Sequence, residues 1–342
     1  MSYIFRSDNV APGERVVARR QYTTVGEDGR PHTVYSDVIG HVLSTSPLVI
    51  RPQEVGGYPS AREAVEIAPE ELKIIKRLSP RTVRNSDIRA IEVATAAAFP
   101  GTEHTWTSDG QWLMRAGDGI TGRSNSAVPL GPSAGFSPVP MEEIEAFYAR
   151  HGLPVCLEIP ERIGKPAEKL VAAAPQAWEL EPEILVMARD LPAEVTPQAQ
   201  EGISFRIDEQ PDRAWLDLYH FRGQALPEKA LFYLRSAIEG RMGFGRLLSA
   251  DGETVAITRG TLTESGDGSV WLGYSAVEVA EPWRRRGLGT LLGAHMLRWG
   301  AEHGAQRAYL QVVASNAAGI RLYEKLGFIE HHRHRYARRL VR

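Results

Sequence analysis

The sequence predicts an α/β (α+β) chain: a small N-terminal β-barrel followed by two mixed-sheet domains. Three observations carry this. Short β-branched runs separated by Gly, Pro, Asp and Ser fill the first 78 residues; helical and strand periodicities alternate from 79 to 192; and the same alternation resumes from 202 to 342 after a polar, two-proline stretch, Leu191–Gln200. The expected domains are therefore 1–78, 79–192 and 202–342.

In the first domain, Arg15–Arg20 and His32–Tyr35 flank a Gly-Glu-Asp-Gly-Arg-Pro turn, and Val38–Leu43, Leu48–Arg51 and Val65–Ile67 follow as strands. This arrangement resembles an SH3-like barrel, and Pro69–Leu78 reads as a short helix leaving it. The second domain opens with a helix from Asn85 or Ser86 through Phe99, with Ile88, Ile91, Val93 and Ala94 at helical spacing. Strands at Gln111–Arg115 and Ser126–Leu130, a helix at Glu142–His151, and strands at Pro154–Ile159 and Glu183–Ala188 complete it. The third domain reads as helices at Asp212–Tyr219 and Pro227–Ile238 and strands at Phe244–Ala250, Thr254–Leu262 and Val270–Val279. A helix from Leu288, a strand at Arg307–Val313 and a helix at Ala317–Leu326 follow. Ala149-Arg150-His151-Gly152 and Ala301-Glu302-His303-Gly304 each end a helix before a strand. Ala188–Leu191 and Ala337–Leu340 follow at similar offsets, so the last two domains read as a duplication.

Composition narrows the function. With 40 Lys and Arg against 42 Asp and Glu, the net charge of −2 advertises neither nucleic acid nor an anionic membrane as partner. The single cysteine, Cys156, excludes an intramolecular disulfide and a cysteine-rich zinc module, and fits a cytoplasmic protein. Residues Met1–Asp8 hold no apolar leader, and no apolar run reaches the ~20 residues a membrane span needs. Trp106, Trp112 and Trp178 are scattered and read as core. No metal is expected: in His331-His332-Arg333-His334-Arg335, strand alternation puts neighbouring side chains on opposite faces.

The strongest chemical signal is Val277-Glu278-Val279-Ala280-Glu281-Pro282-Trp283-Arg284-Arg285-Arg286-Gly287-Leu288-Gly289-Thr290. A strand ends, a glycine-containing loop follows, and a helix begins. Backbone N–H groups and a helix N-terminus then converge on one point, a nest for phosphate whose dipole contributes about 0.3–2 kcal/mol. No Gly-x-x-x-x-Gly-Lys-Ser/Thr string exists, and Leu292 stands where a dinucleotide fingerprint needs its third glycine. The segment instead resembles the pyrophosphate loop of the GCN5-related N-acetyltransferases (GNAT). Leu310–Phe328, with Asn316 and Arg321-Leu322-Tyr323-Glu324-Lys325-Leu326-Gly327-Phe328, resembles that family's second signature. The whole layout, an SH3-like barrel, a degenerate GNAT-like domain and a competent one, resembles an actinobacterial-type group that includes N-acetylglutamate synthases.

The resemblance implies acetyl-CoA as co-substrate, held by the backbones of Val277 and Val279 along the pantetheine arm. Arg284, Arg285, Arg286, Gly287, Leu288, Gly289 and Thr290 would hold the pyrophosphate, and Asn316 would reach the pantetheine region. Tyr323 is the implied acid that protonates the departing CoA thiolate; a phenol of pKa about 10 suits a thiol leaving group. The general base stays open among Tyr274, Glu278 and a water. The middle domain has Leu130-Gly131-Pro132-Ser133-Ala134-Gly135 where the phosphate loop would stand, so one acetyl-CoA site per chain is expected. The acceptor implied by the whole-chain resemblance is L-glutamate, giving N-acetylglutamate for arginine biosynthesis. Arg123, Asn125, Arg222 and Arg259 are the candidates to hold its carboxylates. The alternatives are another small amine, an antibiotic, a protein amine, or a non-catalytic CoA-responsive regulator, and a homodimer is left open.

Overall fold

The computed structural model describes residues 8–25, 29–79, 82–192, 196–221, 224–225 and 238–340. It divides into two units, Met1–Val83 and Arg84–Arg342.

The first unit is one antiparallel sheet of β1 (Arg15–Val25), β2 (Pro31–Thr45), β3 (Leu48–Pro52), β4 (Val65–Ile67) and β5 (Leu72–Arg77), in the order β4-β3-β2-β1-β5. Alternation turns Val16 and Ala18, Val38 and Val42, Ile50, Ile67 and Ile75 into one core. Gly40 lets β3 approach: a Cβ there would stand 1.9 Å from the Arg51 carbonyl oxygen. The pairing path is open, ending at β4 and β5, so closure into the expected barrel is not shown. The expected helix Pro69–Leu78 is instead β5, paired with β1 from Val16↔Arg77 to Arg20↔Leu72. The β-branched pair Ile74-Ile75 joins an available strand edge, and tertiary pairing overrides the helical reading.

The second unit is built on a single sheet. Its strands are β6 (Glu103–Trp106), β7 (Leu113–Ala116), β8 (Ala127–Val128), β9 (Cys156–Pro160), β10 (Trp178–Leu180), β11 (Ile184–Asp190), β12 (Ile203–Asp208), β15 (Arg241–Ser249), β16 (Thr254–Glu264), β17 (Val270–Val279), β18 (Arg307–Val313) and β19 (Ile329–Arg339), while β13 (His220–Phe221) and β14 (Gln224–Ala225) pair only with each other. The order is β12-β15-β16-β17-β18-β11-β19-β9-β8-β7-β6, with β10 on β19. Six described helices accompany it: α1 (Asn85–Ala98), α2 (Met141–Arg150), α3 (Lys165–Ala173), α4 (Arg213–Leu218), α5 (Leu288–Glu302) and α6 (Ala317–Lys325). The parts on either side of residue 192 share the sheet, because β11 lies between β18 and β19, antiparallel to both. Each part also holds one parallel pair bridged by a helix: β8–α2–β9 and β17–α5–β18.

Helix α5 lies on one face of β15–β17. Glycines make room for it: a Cβ on Gly260 would be 2.5 Å from Met296 Cε, and one on Gly245 2.7 Å from Met296 Sδ. The opposite face carries α1 and α4. There Ile257 packs with Ala98, Phe99 and Trp215, and Thr263 Oγ1 donates to the Ala94 carbonyl. Helix α3 has no counterpart in the sequence reading, and the expected helix over 227–238 lies almost wholly outside the described residues. Trp112 and Trp178 are core as expected, but Trp106 is 46% exposed: it sits on edge strand β6. No described helix is long and apolar enough to cross a membrane.

Candidate active site

Strands β17 and β18 run parallel only from Trp271↔Arg307 to Tyr274↔Leu310. Beyond Tyr274 they part. The cause lies in β17: its register against β16 slips between Arg259↔Ser275 and Ile257↔Glu278, and Ala276 takes φ +56°, a bulge in a left-handed conformation. The bulge turns the end of β17 away from β18 and opens a slot between them.

After the bulge the alternation is set by Ala280 N–H, which donates to the Val255 carbonyl at 2.9 Å. Val279 and Val277 therefore direct their backbone groups to the open edge, away from β16. The Val279 carbonyl already accepts from Arg284 Nε at 3.0 Å, so Arg284 fastens the loop to the strand end. Arg286 lies over the Trp283 ring at 5.0 Å. Arg285 (φ +62°) and Gly287 (φ +79°) both adopt left-handed conformations, and Gly287 is the N-cap of α5. That alternation turns successive N–H groups inward, and the N–H groups of Leu288 and Gly289, which open α5, lie ahead of the first intrahelical bonds, made by Thr290 and Leu291 to the Gly287 carbonyl. Leu288 is core, so only its backbone faces the loop. Gly289 serves packing as well: a Cβ would be 2.5 Å from Leu322 Cδ1 of α6. Thr290 sits in the first turn of α5, its N–H donating to the Gly287 carbonyl at 3.0 Å. The slot, the open strand edge and the N–H nest fit a pantetheine arm and a pyrophosphate.

Tyr323 of α6 meets this slot. Its ring packs edge-to-face on Tyr274 at 6.0 Å and lies 6.4 Å from Phe328. Burial, then the negative charge of Glu278, pushes its phenol up to about 12. It stays protonated throughout the neutral range, as a proton donor must. Tyr274 is fully buried, and burial together with Tyr323 pushes its phenol well above the ordinary value. Glu278 is half-buried and faces Ile257 across the strands, hence the α1 side of the sheet. Asn316 is the N-cap of α6, its Oδ1 accepting from Gly319 N–H at 2.9 Å.

Two of the four expected carboxylate holders converge. Arg259 of β16 and Arg123 of the turn Gly122–Ser124 both lie over the Phe99 ring, at 5.3 and 4.4 Å. Arg259 is 1% exposed; its Nε donates to Ser275 Oγ at 3.2 Å, beside the bulge, and its Nη1 has no hydrogen-bond partner. Burial, with Arg123 acting in the same sense, holds this guanidinium below its ordinary value. Two other buried arginines have carboxylate partners: Arg115 with Glu158 at 2.6 Å, and Arg246 with Asp212 at 2.7 Å and Asp208 at 2.9 Å. Among the described residues, no carboxylate pairs with Arg259 or Arg123.

Asn125 does not join them. Its Oδ1 accepts from Gly117 and Gly119 N–H at 2.8 and 3.0 Å, and its Nδ2 donates to the Thr121 carbonyl at 2.8 Å. The amide shapes the loop that presents Arg123. Arg222 lies outside the described residues. The sequence reading missed Phe99 as the ring both arginines lie over and Ser275 as the link from Arg259 to the bulge. An aromatic residue closing a helix before Pro100-Gly101 was the available hint.

The chain matches, over residues 85–337, the family described as "Probable histone acetyltransferase Rv0428c C-terminal". It is 36% identical over 302 residues to the "Probable histone acetyltransferase Rv0428c" of Mycobacterium tuberculosis, covering 88% of each chain. It is 30% identical over 257 residues to the "Uncharacterized N-acetyltransferase YobR" of Bacillus subtilis, covering 72% of this chain and 97% of the relative. Among solved structures, a GCN5-related N-acetyltransferase from Kribbella flavida aligns with a TM-score of 0.55 at 16% identity, covering 76% of this chain and 98% of that one. A tandem GNAT protein from the clavulanic acid biosynthesis pathway aligns with a TM-score of 0.50 at 16% identity, covering 75% and 89%. At these identities the two structures speak for the fold alone. Fold, family and relatives converge: the chain belongs to the GNAT family of N-acetyltransferases, enzymes that use acetyl-CoA.

Proposed function

We propose that this N-acetyltransferase acetylates the amine of a small acceptor that carries carboxylate, with L-glutamate as the first candidate, making N-acetylglutamate for arginine biosynthesis. The observation that carries the reading is the Arg259–Phe99–Arg123 clamp: two guanidinium groups, one fully buried, without a described carboxylate partner. A buried cation without a counter-ion is costly, and a substrate carboxylate supplies one in bidentate geometry.

Acetyl-CoA supplies the thioester. The edges of Val277 and Val279 hold its arm, and the turn from Arg284 to Thr290 holds its pyrophosphate. The clamp orients the acceptor on the α1 side of the sheet, and Glu278, on that same side, takes the proton from the acceptor ammonium. The amine nitrogen bonds to the thioester carbon, the carbon–sulfur bond breaks, and the sulfur takes the Tyr323 proton; the acylated nitrogen sheds its second proton to water, and water reprotonates Tyr323. Each proton transfer contributes about 10²–10⁴-fold.

Thiol release from acetyl-CoA across amino acids, polyamines and lysine peptides, with mass spectrometry of the product, tests the reading. Saturable turnover with L-glutamate, weak with glutamine and aspartate, and a KM raised about tenfold or more in Arg259→Met supports it. A second reading, a protein lysine as acceptor, is favoured by the name of the 36% identical relative, a probable histone acetyltransferase. Turnover confined to lysine peptides selects it and discards glutamate.

A further inference from the structure

A second cluster lies apart from the slot. His332 and His334 of β19 are two residues apart and meet Glu92 of α1, whose Oε1 lies 2.6 Å from His332 Nε2 and 3.1 Å from His334 Nδ1. Glu158 of β9 brings its Oε1 to 3.5 Å from His334 Nδ1. All four side chains are no more than 2% exposed. The first three offer ligand atoms within 4.8 Å of one another. Hydrogen bonding alone leaves this cluster incomplete: Glu92 Oε2, Glu158 Oε1 and His334 Nε2 are all buried without a hydrogen-bond partner. Unsatisfied buried groups concentrated at one place call for an ion or another unseen partner.

We propose that Glu92, His332 and His334, with Glu158 as fourth ligand, form a site for a divalent ion of the zinc class. Two imidazoles and two carboxylates suit zinc better than magnesium or calcium, which take all-oxygen cages. Ligand atoms around a four-coordinate zinc stand about 3.3 Å apart, from bonds of about 2.0–2.1 Å; Glu92 Oε1 lies 2.6 and 3.1 Å from the two imidazole nitrogens, and Glu158 Oε1 lies 3.5 Å from His334 Nδ1. The outer shell is in place. Arg115 Nη2 holds Glu158 Oε2 at 2.6 Å, Ser126 Oγ lies 3.3 Å from the same oxygen, and His331 Nδ1 lies 2.8 Å from His332 Nδ1. The last contact depends on a bulge: β19 skips His331 between Val186↔His332 and Met187↔Glu330. With four protein ligands the site is closed, so the ion is structural, tying α1 and β9 to the C-terminal strand, and it loads as the chain folds.

The test uses the full chain, purified without a histidine tag. Zinc is measured by mass spectrometry after gel filtration, and the chelator-stripped chain is titrated with cobalt(II). The proposal expects about one zinc per chain, the visible bands of four-coordinate cobalt, and a lower thermal midpoint after chelation. His334→Asn and Glu92→Gln should lose at least nine-tenths of the metal while still binding acetyl-CoA, and His295→Asn, away from the cluster, should retain it. Background zinc and no cobalt bands in the folded wild-type chain overturn the proposal, leaving a hydrogen-bonded network. So does undiminished metal in either folded cluster variant. Should those variants fail to fold, the wild-type stoichiometry and cobalt spectrum decide.

Discussion

The two strand–loop–helix junctions of the large unit, β8 to α2 and β17 to α5, share an element order and differ in what fills them. In the second, Gly287 carries φ +79° with nothing within 4 Å of where a Cβ would stand, so the loop keeps an open concavity. In the first, Leu130 and Ala134 are buried, the Gly131 N–H donates to the Gln111 carbonyl at 2.9 Å, and Gln111 Oε1 accepts from Ser133 N–H at 2.8 Å. A Cβ on Gly131 would lie 2.5 Å from Gln111 Cα. The first junction spends these donors within the chain, whereas over residues 284–291 of the second only the N–H groups of Arg284, Thr290 and Leu291 do so among the described hydrogen bonds. The following helices differ likewise, since Lys165–Ala173 of α3 has no tyrosine where α6 has Tyr323. A shared frame therefore says little about chemistry. On the proposed reading, the conformation of three or four loop residues and one phenol decide it.

The largest test of that contrast is Tyr323→Phe. Loss of the acid should cut kcat about 100-fold while acetyl-CoA affinity, measured by calorimetry, stays within about twofold. A kcat within threefold of wild type would remove Tyr323 from the mechanism.

Next comes a pair of glycine variants with opposite signatures. Gly287→Val forces a β-branched residue into a left-handed conformation at about 1–2 kcal/mol, or leaves the loop rearranged, so acetyl-CoA should bind about tenfold more weakly with little change in thermal midpoint. Gly131→Ala must displace main chain and should destabilise the fold by about 1–3 kcal/mol, leaving affinity unchanged in the folded fraction. Equal effects on both properties from the two substitutions would erase the distinction between an open and a filled junction.

The active half was largely legible in sequence because its signals are local. Val270–Val279 and Arg307–Val313 are strands with the bounds expected, as β-branched and aromatic runs closed by turns should be. The bulge at Ala276 was not legible: nothing in Tyr274-Ser275-Ala276-Val277 announces a left-handed alanine, which pairing with β16 imposes. Arg123 and Arg259 were legible as cations, but their meeting over Phe99 needs three segments to come together. The histidine cluster shows the same limit. Alternation correctly separates neighbours in a regular strand, yet it also brings His332 and His334 to one face, and their partner is 240 residues from His332. Glu92 itself could have been noticed, since it stands with Ile88, Ile91 and Thr95 on the buried stripe of α1, where an unpaired carboxylate has no place. Helix α3 was missed because its short Lys165–Ala173 run buries only Ala167 and Val171.

The smallest expected effect compares two buried phenols. Tyr148 of α2 is fully buried and donates to the Arg115 carbonyl at 3.1 Å, whereas Tyr323 is half-buried at the slot. Burial raises both above the ordinary value, Tyr323 to about 12. A raised folded-state pKa means that the folded chain holds its proton more tightly than the unfolded one. Its contribution is complete below about pH 10 and is lost as pH rises toward about 12. At pH 11 this amounts to on the order of 1 kcal/mol for Tyr323. The urea midpoint of the wild-type chain should therefore fall between pH 9 and 11, and that of Tyr323→Phe should fall less, because one of the titrating phenols is gone. Tyr148→Phe also loses a buried hydrogen bond, so it should start from a lower midpoint at pH 9, where Tyr323→Phe stays near wild type. Identical pH slopes for wild type and Tyr323→Phe would mean that solvent reaches this phenol, and with it that the slot beside Tyr274 is wetter than its packing indicates.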